Sequence, residues 1–150
     1  MTLAEIAKTF DEGDNFDNRK TIIYARNACF DLARQVGCRY FIQLDDDYDS
    51  FRYRHARDGQ YKSRAVSHTI DEVFESLVVF HENTGIASVA LSQGGDHLGG
   101  GMSSDNRSIK LKRKAMNTFI CSTDRPFQFF GRINEDVNIY TTLSRRGDVF

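Results

Sequence analysis

A short apolar run that ends in a cluster of carboxylates is the feature that most constrains how this chain folds. Residues 40–44 read YFIQL, and DDDYD follows at once, so four carboxylates lie within five residues. An apolar-aromatic run of this length, followed by turn-forming residues, is typical of a buried β-strand. Like charges at this spacing repel one another unless a cation or hydrogen-bond donors lie beside them. The pattern therefore predicts a strand that delivers acidic side chains to one edge of a sheet, and a metal ion is the first cation to consider.

Helical patterns occur before and after this strand. Residues 18–37 have apolar side chains at helical spacing, and Gly37 supplies a stop. The face predicted to be apolar in this helix consists of Ile22, Ala25, Cys29, Ala33 and Val36.

Two more helices are predicted later in the chain, over residues 69–84 and 134–146. For the first of them, Thr69 is the predicted N-cap and Glu72 completes a capping box. Its predicted apolar face carries Val73, Leu77 and Phe80.

Strand patterns alternate with these helices. The segments concerned are residues 50–54 and 86–93, with one or two further strands within residues 109–122. Alternation of helix and strand favours an α/β fold with a mainly parallel sheet, and the strand-rich middle favours an antiparallel edge. Ligands of such sheets gather beyond the carboxyl ends of the strands. The acidic turn and the glycine-rich loop over residues 92–108 both follow predicted strands, so we expect them to be functional.

The composition indicates a single globular domain over residues 1–150, with 40% apolar and 27% charged residues. A net charge of −1 gives no general attraction to nucleic acid, so such contact would need a local patch such as KLKRK at residues 110–114. The three cysteines form no C-x-x-C pair, which indicates neither a disulfide framework nor a zinc site. Neither a signal peptide nor a stretch of membrane-spanning length is visible. A reducing, cytoplasmic setting without membrane contact is therefore expected.

Three metal-handling patterns compete for the acidic turn. A calcium loop of the EF-hand type would need glycine where Ser50 stands and glutamate where Ala56 stands. A phosphatase with an aspartyl nucleophile would want a small β-branched residue where Asp49 stands. The third pattern is the D-x-D turn of nucleotide-sugar glycosyltransferases, whose carboxylates hold Mg²⁺ or Mn²⁺ against the diphosphate of the donor. A solvated acidic turn without a ligand is the alternative to all three.

Three stretches carry a resemblance to a known family: YARNACFDLARQVGCRYFIQLDDDY, LSQGGDHLGG and FFGRINEDVNIYTTLSRRGDVF. They resemble the GT-A-type glycosyltransferases of phages and kinetoplastids that glucosylate hydroxymethylated pyrimidines in DNA. This group is related to the base J glucosyltransferase and is associated with TET-like oxygenases. The resemblance spans residues 21–150 and is weaker over residues 54–68.

The resemblance implies a GT-A-like, Rossmann-like mixed sheet flanked by helices and an inverting transfer of a hexose. The donor would be a nucleotide sugar such as UDP-glucose, with Mn²⁺ or Mg²⁺ held by Asp45 and Asp47 and with Asp46 meeting the sugar or ribose. Arg26 and Asn27 would reach the nucleotide or the sugar hydroxyls, unless Arg26 is simply a surface residue.

The glycine loop would lie against the transferred sugar. Gly94, Gly95 and Asp96 have this place in the resemblance, because glycine lets the backbone approach closely. A flexible crossover is the alternative.

The acceptor side would be formed by later residues. In the resemblance Asp136, next to Glu135 at a predicted helix N-terminus, takes the proton of the attacking hydroxyl. Arg113 and Lys114 would touch the phosphates of acceptor DNA. The alternatives are acids that only cap the helix and a solvated basic strand.

Two other functions stay open from the sequence. One is a glycosyltransferase that acts on a glycan, lipid or protein, and the other is a non-catalytic remnant that binds nucleotide sugar or DNA. No strand-turn-helix unit is visible before residue 18, and GDVF at residues 147–150 reads as the start of another strand. We therefore expect the glycosyltransferase domain to be incomplete at both ends.

Overall fold

The computed structural model describes residues 22–46, 48–57, 60–92, 118–131 and 135–149. Within these residues it contains three helices, α1 (Ile22–Gln35), α2 (Ile70–Thr84) and α3 (Glu135–Arg146). It also contains four strands, β1 (Tyr40–Leu44), β2 (Arg52–Arg57), β3 (Gln60–Ala65) and β4 (Thr118–Ser122). The predicted α/β character is confirmed. None of these helices is long and apolar enough to cross a membrane.

Strand β4 lies between β1 and the segment around Val89. β1 and β4 are antiparallel, with Tyr40 opposite Ser122 and Leu44 opposite Thr118. On its other edge, Ile120 exchanges two backbone hydrogen bonds with Val89, of 2.8 and 3.3 Å. All five residues of β4 are buried, and this strand is the central one of the three paired segments.

The prediction of a mainly parallel sheet is wrong for the strands that the structure describes. Both of their ladders, β1 with β4 and β2 with β3, are antiparallel. The predicted strand over residues 86–93 is reduced, in its described part, to a single bridge at Val89. A local pattern predicts that a segment is extended, but the direction of its neighbour depends on a partner far along the chain.

The core forms where α1 and α3 pack on β4. Phe30 of α1 meets Phe41 and Phe127 edge-on, with ring centroids 5.0 and 5.2 Å apart. The buried apolar cluster consists of Ile23, Tyr24, Phe30, Phe119, Cys121, Phe127, Phe129 and Ile139.

The predicted apolar face of α1 is wrong for most of its members, since only Ala33 is buried. Its two ends, Ile22 and Val36, are 46% and 73% exposed. The face that is buried consists of Ile23, Tyr24, Arg26, Asn27, Phe30 and Ala33. Apolar periodicity did not reveal this face because two of its members are polar residues that find their partners inside the protein.

Helix α2 begins and ends close to the predicted positions, but its start is built differently. Thr69 makes no capping hydrogen bond with its side chain, so the predicted capping box is wrong. Its hydroxyl instead pairs with the hydroxyl of Tyr53 at 3.0 Å, which ties the helix start to β2. Phe80, predicted on the apolar face, is 52% exposed. Gly85 adopts the left-handed conformation, with φ of 70°, and ends the helix.

Strands β2 and β3 form a hairpin that is separate from the β1–β4 ladder. The register runs from Arg52 opposite Ala65 to Arg57 opposite Gln60. The sequence predicted only a short strand over residues 50–54. We call this element, residues 52–65, the basic hairpin.

Candidate active site

Arg26 links the two acidic elements of the sequence. Its side chain is only 6% exposed, on the buried face of α1. Its Nη2 donates a hydrogen bond to Asp45 Oδ1 at 2.6 Å, and its Nε lies 3.3 Å from Glu135 Oε1. The acidic turn after β1 and the start of α3 therefore converge on one guanidinium. We call Arg26, Asp45 and Glu135 the ionic cluster.

The two ion pairs of Arg26 differ in kind. The contact with Asp45 is a short charge-assisted hydrogen bond. The Nε atom is within ion-pair distance of Glu135, but the angle is too poor for a hydrogen bond, and this buried Nε has no other hydrogen-bond partner among the described residues. Glu135 is therefore held by charge attraction rather than by a directed hydrogen bond.

Two aromatic rings fix the guanidinium in place. The Cζ atom of Arg26 lies 5.1 Å from the ring centroid of Phe119 and 5.2 Å from that of Phe129. The two rings meet edge-on, with centroids 5.1 Å apart. Desolvated cation–π contacts of this kind are worth about 0.5–2 kcal/mol each. Both rings belong to the core, so the ionic cluster is fixed by the same contacts that hold the fold together.

Hydrogen bonds of Asn27 and Gln43 fix the backbone around Arg26. Asn27 forms a two-way bond with the backbone of Phe129: its Nδ2 donates to the carbonyl oxygen and its Oδ1 accepts from the N–H, both at 2.8 Å. Gln43 of β1 donates to the backbone oxygen of Arg26 at 3.1 Å. The structure thus uses Asn27 to attach the Phe129 segment to α1, and the predicted contact of Asn27 with a donor stays a prediction.

The acidic turn is anchored to β4. The hydroxyl of Tyr48 pairs with the hydroxyl of Thr118, the first residue of β4. The ring of Tyr48 stacks on Phe51, with centroids 5.4 Å apart. In the same turn the side chain of Asp45 is 24% exposed, and Asp46 is exposed to solvent. The turn therefore presents at least one carboxylate, that of Asp46, to an incoming ligand.

Asp136 and Glu135 open α3, in its first turn. Both are half-buried. Glu135 faces Arg26, whereas the carboxylate of Asp136 forms neither a hydrogen bond nor an ion pair with any residue that the structure describes. A helix N-terminus stabilises negative charge. Of the two acids, Glu135 is therefore paired with a cation, whereas Asp136 has no ion-pair partner among the described residues.

Six predicted site residues lie outside the described part of the chain: Asp47, Gly94, Gly95, Asp96, Arg113 and Lys114. Their predicted roles stay predictions.

Cysteine chemistry contributes little to this site. The three cysteines, Cys29, Cys38 and Cys121, are free thiols. Burial raises the pKa of the Cys121 thiol to about 12 and also raises the pKa of Cys29. The thiolate is the nucleophilic form, so the buried Cys121 and the half-buried Cys29 are poor nucleophiles at neutral pH.

A pocket of about 380 Å³ lies between α1 and the segment that follows β4. Its walls include Asn27, Asp31 and Arg34 on the helix side and Phe127 on the other. The pocket contains neither Asp45 nor Glu135, so it is distinct from the ionic cluster.

Comparison with protein families gives one match that covers almost the whole chain. The TET-associated glycosyltransferase family matches residues 8–150. The chain belongs to this family. Comparison with curated proteins and with solved structures gave no significant match.

Membership confirms the resemblance seen in the sequence and makes the chain a glycosyltransferase that acts in TET-associated DNA modification. The match spans both acidic elements and therefore the whole ionic cluster. In this TET-associated glycosyltransferase, the convergence on Arg26 joins residues that are far apart in the sequence. The sequence predicted Asp45 and Glu135 as site residues but gave no sign that Arg26 connects them.

Proposed function

We propose that this chain transfers a hexose from a nucleotide-diphosphate sugar such as UDP-glucose to a hydroxymethylated pyrimidine in DNA, within a GT-A-like domain. The observation that carries the proposal is the ionic cluster, in which Arg26 bonds Asp45 and faces Glu135. A donor-binding acid and an acceptor-side acid must lie close together for sugar transfer. The convergence of the two acidic elements on Arg26 meets this requirement.

The residues of the acidic turn suit a divalent cation. Carboxylate oxygens are the ligands that Mg²⁺ and Mn²⁺ prefer. The described residues contain no group of three His, Cys, Asp or Glu side chains that could hold a metal. Mg²⁺ is often bound by only one or two carboxylates together with substrate phosphates, so Asp45 and Asp47 with a diphosphate would suffice. When bound, such a cation would supply positive charge that neutralises the leaving nucleotide diphosphate.

Asp136 is the proposed general base. It would accept the proton of the acceptor hydroxyl while that oxygen forms a bond to the anomeric carbon of the sugar. The bond from that carbon to the diphosphate oxygen breaks at the same time, so the configuration is inverted. Asp136 suits this role because no protein cation in the described residues holds its carboxylate. General-base catalysis of this kind contributes roughly 10²–10⁴-fold.

The other predicted residues complete the site. Asp46, which is exposed, would meet the sugar or ribose, and the loop with Gly94, Gly95 and Asp96 would lie against the sugar. Arg113 and Lys114 would contact phosphates of the acceptor.

Arg26 acts in this scheme as a positioning residue. Its guanidinium holds Asp45 by a 2.6 Å bond, so the direction of that carboxylate is set before the donor arrives. A donor that brings its own metal would compete with Arg26 for Asp45.

The test is a transfer assay with UDP-glucose and duplex DNA that contains hydroxymethylated pyrimidine, with product detected by mass spectrometry. Wild type is compared with Asp45→Asn and Asp136→Asn, each with Mn²⁺ and with a chelator. Asp71→Asn is the matched control, because Asp71 is an exposed acid in the first turn of α2. We expect both site variants and the chelator to abolish most transfer and the control to retain it. Transfer that tolerates all three would contradict the proposal.

The same assay tests the two other functions. Unmodified DNA and simple sugars are supplied as acceptors in parallel. Transfer to the sugars alone would contradict a DNA acceptor. Calorimetric binding of UDP-glucose without any product would contradict catalysis by this chain.

A further inference from the structure

The basic hairpin concentrates positive charge in a chain that is almost neutral. Residues 52–65 contain five basic residues against a single acidic one, Asp58, whereas the whole chain has a net charge of −1. The remainder of the chain is therefore acidic. An excess of one sign on a single element indicates a partner of the opposite sign.

The register places these charges on both faces of the hairpin. Successive side chains of a strand point to opposite faces, so Arg52 and Arg54 share one face. Lys62 and Arg64 share the other, opposite His55 and Tyr53 respectively. A hairpin that is charged on both sides has no face with which to pack on a core.

The charges are accessible. The side chains of Arg52, Lys62 and Arg64 are exposed. In the described part of the chain, no carboxylate lies within ion-pair distance of these three residues. By contrast, Arg26, Arg34 and Arg39 each pair with a carboxylate. Arg52, Lys62 and Arg64 therefore remain available to the phosphates of a partner from outside.

The hairpin is anchored at its root. Phe51 lies between Tyr48 and Phe74, with ring centroids at 5.4 and 5.7 Å, and its carbonyl accepts a hydrogen bond from the N–H of Val66 at 2.8 Å. A two-stranded hairpin without further packing is marginally stable in water. Stabilisation of the fold therefore does not explain this element.

The same anchor places the hairpin beside the candidate active site. Tyr48 stacks on Phe51 and pairs with Thr118, which lies opposite Leu44 in the β1–β4 ladder. Leu44 directly precedes Asp45 of the ionic cluster. The hairpin is thus connected to the ionic cluster through a short series of contacts between protein residues.

We propose that the basic hairpin binds the phosphates of duplex DNA and so presents the acceptor to the ionic cluster. This inference rests on the proposed function, because it identifies how that site takes its acceptor. A two-stranded ribbon fits the major groove of B-form DNA, where substituents on C5 of a pyrimidine project. Contacts with phosphates position a protein on the duplex without reading its sequence, which suits an enzyme whose target is a modified base.

The binding test uses fluorescence anisotropy with a short labelled duplex over a range of salt concentrations. The variant Lys62→Gln/Arg64→Gln removes two exposed cations of the hairpin. Its matched control is Arg145→Gln/Arg146→Gln, which removes two exposed cations from the last turn of α3. The swap Lys62→Arg/Arg64→Lys keeps the charge and tests rescue.

Each phosphate contact contributes about 0.9 to the slope of log affinity against log salt. Removal of two contacts should therefore reduce the slope by about 1.8, so that between about 50 and 200 mM salt the wild type loses about 10-fold more affinity than the variant. The control and the charge-preserving swap should follow the wild type. Equal DNA affinity and equal salt dependence in the wild type and the hairpin variant would overturn the proposal. A loss of DNA affinity in the control as large as that in the hairpin variant would also overturn it. Circular dichroism melting shows that each variant is folded.

Donor hydrolysis in the absence of DNA separates this proposal from the proposed function. If the hairpin variant binds DNA normally and the wild type transfers sugar, only the hairpin proposal is wrong. If the hairpin carries DNA binding but the wild type neither hydrolyses nor transfers any nucleotide sugar, the proposed function is wrong and the DNA surface stands.

Discussion

The charged side chains of the ionic cluster and those of the basic hairpin differ in pairing and in exposure to solvent. Around Arg26 the charges are paired, partly shielded from water and packed between Phe119 and Phe129. On the hairpin, the charges of Lys62 and Arg64 are exposed and have no carboxylate partner among the described residues. Fixed charges in a shielded site can stabilise a reaction because they need little rearrangement. Exposed charges are screened by salt and serve association instead. The comparison predicts that one region controls turnover and the other controls acceptor affinity.

The largest expected effect is that of Asp136→Asn on turnover. Because a neutral amide cannot accept the acceptor proton, kcat should fall roughly 10²–10⁴-fold. Binding of UDP-glucose, measured by calorimetry, should change little because Asp136 is assigned to the acceptor side. If donor affinity falls with kcat, Asp136 belongs to donor binding and the assignment is wrong.

The next effect is on stability, from Arg26→Met. Methionine keeps an apolar stem between the two rings but leaves Asp45 and Glu135 without their cation. Removal of one partner from a buried ion pair costs several kcal/mol, and since these carboxylates are partly exposed we expect a loss of about 2–3 kcal/mol in the free energy of unfolding. Urea denaturation measures it.

The control for this prediction is Arg34→Met on the same helix. Arg34 pairs with Asp31 at 2.9 Å, and both side chains are more than 40% exposed. Exposed pairs contribute about 0.2–1 kcal/mol, so the loss should be clearly smaller. Equal losses in the two variants would mean that the ionic cluster is not a buried structural element.

A smaller effect is expected when the hairpin loses charge. Lys62→Gln/Arg64→Gln removes no packed contact, so the free energy of unfolding should stay within about 0.5 kcal/mol of the wild type. Thermal melting measures this. A clear loss of stability would mean that the hairpin cations support the fold, and the contrast between the two regions would weaken.

The smallest expected effect concerns pH and the packed interior. His81 is fully buried; its Nε2 lies 3.2 Å from the carbonyl oxygen of Ala87, and its Nδ1 has no hydrogen-bond partner in the described part of the chain. Burial lowers the pKa of His81 from its usual 6.5. Between these two pKa values, His81 therefore carries a proton in the unfolded chain but not in the folded chain. Stability from this group is present above pH 6.5 and is lost as the pH falls through the lower, folded-state pKa.

His81→Gln should flatten this loss of stability on the acid side, as measured by urea denaturation at a series of pH values. The matched control is His55→Gln, since His55 is exposed on the basic hairpin. The control should keep the slope of the wild type. A wild-type slope in His81→Gln would contradict a neutral, buried His81.

The same two regions show what the sequence predicts and what it does not. The three helices and β1 rest on local signals, and the structure confirms them within a few residues. The buried face of α1 was missed because Arg26 and Asn27 satisfy their polar groups with Asp45 and Phe129, which are distant in the sequence. No local pattern contains that information.

The hairpin was missed for a different reason. Its second strand, QYKSRA, has Ser63 between Tyr61 and Ala65, so it lacks the continuous apolar face by which strands are recognised. The dipeptide Asp58-Gly59, between the two strands in the sequence, is a strong hairpin signal and would have revealed it. The antiparallel placement of β4 beside β1 required knowledge of a pairing between segments that are about half the chain length apart.

A single steady-state assay of sugar transfer tests most directly whether one region controls turnover and the other controls affinity for the acceptor. Initial rates are measured against the concentration of hydroxymethylated duplex for wild type, Asp136→Asn and Lys62→Gln/Arg64→Gln. The account predicts a loss of kcat with little change in KM for DNA in the first variant, and a raised KM with kcat nearly unchanged in the second. The same pattern of kcat and KM in both variants would contradict it.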